Sequence, residues 1–331
     1  MTSTLQIKDN NKLVVGIGSA LVDILVHKND EFLNKLSIKK GGMTLVDNAL
    51  LTNTLSAISD KPCIVPGGSA CNTIIGIASL GGQARFVGKL GTDEYGEFFT
   101  TDLKKNNVDN MLFLSSLPTG RVLSIITPDA QRTMLTYLGA SSEIKSEEIT
   151  DSCFLDAGIV HIEGYMLFNR KLMLAVMHAA KKAGSLISLD LASFTIVEES
   201  KKFLKEIVDK FVDIVIANED EAIAYTGYKD ELKAVELLSE NVKIAVLKIG
   251  KRGSFISYKG KITKIESVGN RSAVDTTGAG DLWASGFLFG LVNKYSIEKC
   301  GQLGSLCGYE VCQVVGANIP DKSWNNIKKF L

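Results

Sequence analysis

From Gly158 to Ile249 four short apolar runs, Gly158–Ile162, Leu186–Leu189, Ile214–Ala217 and Ile244–Ile249, alternate with longer segments of helical periodicity. Unbroken apolar runs of this length suit strands buried on both faces, whereas a half-wet sheet would alternate residue by residue. The intervening helices are expected near Arg170–Ala183, Glu199–Val208 and Glu219–Tyr225. Such a rhythm confines the chain to a three-layer α/β/α architecture with a central, mainly parallel sheet. Leu13–Gly18 reads as another buried strand and Ala84–Val87 as a further one. Lys261–Ile265 pairs with Ser254–Tyr258 as a hairpin, and helical runs at 282–293 and 296–315 close the chain.

Two stretches break this rhythm. Residues 25–63 carry Gly41-Gly42 between short extended pieces, and residues 110–137 hold the strand candidates Leu112–Leu114, Val122–Ile126 and Thr133–Tyr137. Turns at Pro118-Thr-Gly and Pro128-Asp-Ala separate these. Together the two stretches are expected to form a small β-lid set apart from the main sheet. No internal repeat is present.

The stretch with the most chemical content is Asp275-Thr-Thr-Gly-Ala-Gly-Asp281, which opens the run Leu282–Val292. Small residues at a helix start leave backbone N–H groups bare, and the helix dipole there favours negative charge. A structural cap needs a single Asp, Ser or Thr, not a Gly-Ala-Gly run followed by an acid. The pattern suits phosphoryl transfer: amides of Gly278, Ala279 and Gly280 hold the moving charge while Asp281 takes a proton from an attacking hydroxyl.

Other motifs say less on their own. Gly16-x-Gly18 has Leu21 where a dinucleotide fingerprint needs its third glycine. Asp23, read at the carboxyl end of that strand, is a candidate substrate contact or a turn carboxylate. Pro66-Gly67-Gly68-Ser-Ala-Cys-Asn72 leads into a helix, with glycines that let a ligand approach the backbone. Asn218-Glu-Asp-Glu221 follows a strand and reads either as an acidic helix start or as a holder of hydrated Mg²⁺. His161 reads as a satisfied core histidine, and His27 and His178 as surface positions. No GxxxxGK[ST], HExxH or GxSxG occurs.

Composition narrows the class. The 331 residues suffice for one large domain or about two. A formal charge of zero without a long basic run argues against nucleic acid or an anionic membrane as partner. No apolar run reaches about 18 residues, so no membrane span is expected. The six cysteines show neither CxxC nor zinc-ligand spacing. The polar start Thr2-Ser-Thr lacks the pattern of a signal peptide, so a cytoplasmic enzyme is expected.

These motifs together resemble the ribokinase-like (PfkB) carbohydrate and nucleoside kinases over nearly the whole chain. The first signature is Gly67–Asn72 continuing through Ala78-Ser-Leu-Gly81 to Gly88-Lys-Leu-Gly-Thr-Asp93-x-Tyr-Gly96; the second is Asp275–Asp281 with Gly286 and Phe287. Asn218-x-x-Glu221 is similar to the family's magnesium motif. The resemblance implies that Asp281 is the base, that Gly278, Ala279 and Gly280 form the anion hole, and that Arg132 is a lid arginine reaching the transferring phosphate. It implies Asp23, Gly67, Gly68 and Asn72 at the substrate's hydroxyls, with Met134, Thr136, Tyr165 and Met166 lining the base pocket. ATP is implied over Lys248, Gly250 and Gly253 and toward Gly308–Asn318, with Asp275 and Thr277 among the ATP-binding residues and Asp275 helping to hold the loop. Mg²⁺ is implied at Asn218 and Glu221, through water.

Within the family, Gly16–Ile24 and Thr127–Thr133 are most similar to adenosine kinase-like bacterial members. Ser19 and Met43 depart from that pattern, and the base pocket reads as apolar, without a hydrogen-bonding group for a purine edge. The implied reaction is ATP-dependent phosphorylation of adenosine, with a sugar kinase acting on ribose, fructose or a sugar acid as the alternative. Whether a monovalent cation takes part, and whether the chain is a monomer or homodimer, stays open at this level.

Overall fold

The computed structural model describes residues 11–38, 40–129 and 131–331. The polar start Thr2–Thr4 and Ala130 of the expected turn lie outside them. The chain runs β1 (Leu13–Ile17), β2 (Leu21–His27), α1 (Asp30–Lys35), β3 (Gly42–Leu45), α2 (Asn48–Ser56), β4 (Cys63–Gly67), α3 (Ser69–Ser79), β5 (Ala84–Gly91) and α4 (Glu94–Lys105). Then come β6 (Asp109–Ser115), β7 (Gly120–Ile126) and β8 (Arg132–Tyr137). The regular half is β9 (Ala157–Glu163), α5 (Arg170–Lys182), β10 (Leu186–Asp190), α6 (Phe194–Phe211), β11 (Ile214–Asn218), α7 (Glu219–Thr226), α8 (Glu231–Leu238) and β12 (Ile244–Lys248). Strands β13 (Ser254–Tyr258) and β14 (Lys261–Ile265) precede α9 (Ala279–Val292), α10 (Ile297–Val311) and α11 (Asp321–Lys328).

Among the described residues, nine strands form one sheet in the order β14-β13-β12-β11-β10-β9-β1-β5-β6. It is parallel from β12 to β6, and only the β13–β14 edge is antiparallel. Both faces are covered, as the apolar runs required. One core packs Val15, Val160 and Leu189 against Met173, Val176 and Leu204 of α5 and α6. The other packs Val14, Ile159 and Ile216 against Ile74 of α3 and Phe287 and Leu288 of α9. Every residue of α9 from Leu282 to Val292 is buried, so a Phe287→Ala change should cost about 3–5 kcal/mol.

A second sheet of five strands, in the order β3-β8-β7-β2-β4, stands apart from the first. Its outer face packs Ile24, Val26, Leu123, Ile125 and Leu135 over Leu33 and Leu51 of α1 and α2. Its inner face therefore carries Asp23, Leu25, Val122, Ser124, Arg132, Met134 and Thr136, because side chains alternate across a strand. Two expectations change here. The strand containing Leu112–Leu114 belongs to the main sheet, where β6 extends β5 in parallel with Val87 opposite Met111. The β5-α4-β6 unit is a crossover, and such units return to the same sheet. Asp23 does not end β1 either: the chain turns at Gly18–Ala20 and re-enters extended backbone, placing Asp23 third in β2 of the small sheet.

Gly16 and Gly18 serve packing, not a dinucleotide. A Cβ on Gly16 would lie 2.3 Å from Ile74 Cγ1 of α3, and one on Gly18 would lie 2.3 Å from the Glu163 carboxyl. Both places that a cofactor backbone would approach are filled by side chains.

Candidate active site

Helices α3 and α9 both begin on an uncapped glycine. Gly68 has φ 97° and Gly278 φ 71°, and neither accepts or gives a side-chain cap bond. Those left-handed φ values are open to glycine and costly for other residues. The two helices pack so closely that a Cβ on Gly76 would meet Ser285 Oγ at 2.5 Å. Their first turns converge on Asp281. Ser69 Oγ donates to Asp281 Oδ1 at 2.8 Å, Asn72 Nδ2 to Oδ2 at 2.9 Å, and Thr73 Oγ1 to its carbonyl at 3.1 Å. Burial raises the Asp281 carboxyl above its usual range, and the bonds from Asn72 and Ser69 oppose that rise.

Asp23, on the inner face of the small sheet, lies within electrostatic reach of this carboxylate. A Cβ on Gly67 would lie 2.5 Å from Asp23 Cγ, so only a glycine lets that acid sit against the strand end. Burial pushes Asp23 up to about 7, while Arg132 pulls it down and Asp281 adds to the rise. Thr136 lies beside Val122, which pairs with Asp23, and Met134 lies between Ser124 and Met43. Tyr165 and Met166 stand in the turn after β9; burial raises the Tyr165 phenol to about 12, with Glu163 and Asp281 adding to it. Met166 itself is packed into the core.

Arg132 of β8 and Asp275 of the loop before α9 meet at 2.6 Å, with side chains 12% and 13% exposed. Asp275 also accepts from the Gly316 amide at 2.8 Å and from the Thr277 amide and hydroxyl at 3.0 and 2.8 Å. Burial alone would raise Asp275; these donors together with Arg132 hold it below the usual carboxylate range. Asp275 and Thr277 are thus bonded to each other within the loop, and Thr276, Ala279 and Gly280 of the same stretch line an adjoining cavity.

That cavity measures about 750 Å³ and is lined by Lys248, Gly250, Gly253, Gly280, Trp283 and Tyr309, with Gly308 and Gln313 at its far side. Lys248 Nζ lies 2.9 Å from Asp190 Oδ2 and 3.0 Å from where a Gly280 Cβ would be. Burial alone would lower Lys248, but Asp190 and Glu221 hold it above the usual ammonium range. Asn218 caps α7: its Oδ1 accepts from the Glu221 amide at 2.9 Å. Its own amide N–H and Nδ2 donate to the Glu221 carboxylate, each at 2.8 Å. Burial raises that carboxyl, with Asp190 adding to it. Among the described residues no cluster of three His, Cys, Asp or Glu is built to enclose a metal. With both Glu221 oxygens already accepting, the donor set fits a Mg²⁺ held through water rather than by direct ligation.

Several participants carried no signal in the sequence. Ser69 and Thr73 lie inside a quoted motif but look like ordinary helix residues. Glu163 is buried at the end of β9, accepting from the Ser19 amide at 2.7 Å and the Ala70 amide at 3.3 Å. It ties the turn into the small sheet to the first turn of α3, and burial pushes it up to about 7. Asp190 was passed over as a strand end. His161 is only half satisfied: Nδ1 meets Ser188 Oγ at 3.1 Å and Nε2 has no protein partner among the described residues.

A parallel sheet with its carboxyl ends gathering an acid, an anion cradle and a nucleotide-sized cavity defines a small-molecule kinase. The chain belongs to the pfkB family of carbohydrate kinases, whose pattern matches residues 45–324. A probable fructokinase-7 of Arabidopsis thaliana is 28% identical over 314 residues, covering 89% of this chain and 83% of its own. A probable sugar kinase from Rhizobium etli CFN 42 is 31% identical, covers 97% of this chain and 98% of its own, and superposes with a TM-score of 0.89. An adenosine kinase from Sinorhizobium meliloti is 33% identical over 93% of this chain and 96% of its own, with a TM-score of 0.85.

Proposed function

We propose that this kinase transfers the γ-phosphoryl group of ATP to a primary hydroxyl of a ribose-bearing acceptor, adenosine first among them. The observation that carries the proposal is the Asp281 carboxylate, fixed by Ser69 and Asn72 in the first turn of α9, where the Ala279 amide is already engaged with the Thr276 carbonyl at 3.1 Å and those of Gly278 and Gly280 have no protein acceptor among the described residues. The acceptor oxygen attacks the γ-phosphorus, its proton passes to Asp281, and the bond to the β–γ bridging oxygen breaks with its electron pair leaving on ADP. Amides of Gly278 and Gly280 stabilise the charge on the phosphoryl oxygens, the Ala279 amide being bonded to Thr276. Asp23, Gly67, Gly68 and Asn72 orient the sugar hydroxyls, and Arg132 exchanges Asp275 for the transferring phosphate. Mg²⁺, when bound through water at Asn218 and Glu221, supplies charge neutralisation for the ATP phosphates. The small sheet, residues 25–63 with β7 and β8, acts as a lid that excludes water.

Adenosine is supported by the half-buried Met134 on the inner face of the small sheet and the half-buried Tyr165 in the turn after β9, surfaces on which a flat base can lie. The likeness to the bacterial adenosine kinase points the same way. A second reading, a free sugar, is favoured by the likenesses to a sugar kinase and to fructokinases. ADP release measured across adenosine, other nucleosides, ribose, fructose and sugar acids decides between them. The proposal expects the highest kcat/KM with adenosine; a higher value with any free sugar replaces it with the second reading.

A further inference from the structure

The hydroxyl of Ser124 is buried, 1% exposed, and has no hydrogen-bond partner among the described residues. An unpaired buried hydroxyl is destabilising, and native folds keep few of them. Ser124 lies on the inner face of the small sheet, between Leu25 of β2 and Met134 of β8. Its neighbour on that face, Arg132, also has a buried Nε without a partner. On the outer face of the same strand the neighbours Leu123 and Ile125 are wholly apolar and well packed. Arg121 Nε is likewise unpaired on the outer face, but its guanidinium already bonds Asn48 and lies over Tyr95 and Tyr137, whereas the Ser124 hydroxyl has no partner at all among the described residues.

Register fixes how far Ser124 stands from the sugar end. Asp23 pairs with Val122 and Leu25 with Ser124, so the two side chains are two residues apart along the sheet. At about 3.3 Å per residue this is about 7 Å, comparable to the span from a ribose hydroxyl to the polar edge of an attached base. We infer that Ser124 is a specificity residue whose hydroxyl hydrogen-bonds the polar group at the end of the acceptor remote from the phosphorylated oxygen. In the adenosine reading, on which this inference rests, that group is a ring nitrogen or the exocyclic amine of the purine. In the free-sugar reading it is a distal hydroxyl. A serine both donates and accepts, so either chemistry is served. The apolar slot expected from the sequence thus holds one hydrogen-bonding group after all.

The test compares wild type, Ser124→Ala and Ser124→Thr by calorimetric binding of adenosine, of adenosine analogues each lacking one polar edge atom, and of ribose and fructose. Ser124→Ala is expected to bind the preferred acceptor about tenfold more weakly with kcat nearly unchanged, as for one lost hydrogen bond. The analogue lacking the contacted atom should bind both proteins equally, and Ser124→Thr should restore part of the affinity. The ligand-free Ser124→Ala protein should melt no lower than wild type, since no protein bond is lost. Equal acceptor affinity in wild type and Ser124→Ala, or a Ser124→Ala protein that melts lower with unchanged binding, overturns the inference while leaving the kinase reading standing. A wild type that binds neither nucleoside nor sugar overturns both. If only a sugar binds, loss of affinity in Ser124→Ala for that sugar assigns the contact to a distal hydroxyl, and no loss removes it.

Discussion

Asn72 Nδ2 reaches Asp281 Oδ2 at 2.9 Å across 209 residues of sequence. With Ser69 on the other oxygen, each carboxylate oxygen is held by one donor and keeps a lone pair free. The acid can ionise yet stays fixed against the first turn of α3. In the proposed reaction this arrangement orients the base.

Asp281→Asn should lower kcat by several orders of magnitude while nucleotide affinity stays within a few-fold, since the amide cannot accept the proton. Ser69→Ala tests the geometry more finely. Its hydroxyl favours the ionised carboxylate, so removing it raises Asp281 further. The acid limb of the kcat profile should move to higher pH. An unmoved limb would show that Ser69 does not tune the base.

Asp23 makes stability depend on pH in the direction opposite to a salt-bridged acid. Its carboxyl titrates at about 7 in the fold against 3.8 when unfolded. Between those values the native state holds the extra proton, so stability declines as pH rises through the window, and the decline is complete above about 7. Glu163, also raised to about 7, acts in the same direction. Urea unfolding at pH 5 and pH 8 should show a smaller difference for Asp23→Asn than for wild type. Identical differences count against the buried, protonated Asp23.

The Arg132–Asp275 pair is asymmetric. Without Arg132, Asp275 keeps Gly316 and Thr277 as donors. Without Asp275, those donors and a buried guanidinium are stranded, a loss of about 3–5 kcal/mol for a broken buried pair. Asp275→Ala should therefore unfold at markedly lower urea than Arg132→Met, which should instead lose turnover. Equal destabilisation by the two changes would rule out the asymmetry.

Gly67→Ala drives a methyl into the Asp23 carboxyl, 2.5 Å from Cγ. The acceptor KM should rise about tenfold or more from a displaced orienting group, while affinity for a non-hydrolysable ATP analogue is unchanged. A parallel loss of ATP-analogue affinity would place Gly67 in the nucleotide site.

Much of this was legible in the sequence because it is local. The runs Leu186–Leu189 and Ile214–Ala217 became buried parallel strands since a strand covered on both faces has no polar side to show. Gly278-Ala-Gly-Asp281 became an uncapped helix start for the reason its small residues suggested. Leu112–Leu114 was misplaced because a short apolar strand carries no mark of which sheet it joins, and the crossover through α4 settled that. The partners of Asp275, the Gly316 amide and Arg132, lie far along the chain and are not named by its own motif.

The sequence by itself determined the layered α/β architecture and the anion-cradling turn with its acid, since periodicity and backbone freedom act over a few residues. Only the tertiary structure decided that Ser69 and Asn72 hold that acid, that Glu163 joins the turn after β1 to α3, and that Ser124 lies unpaired on the acceptor wall. Those relationships link residues that are distant along the chain. They follow from how two sheets and their covering helices pack, which no local pattern encodes.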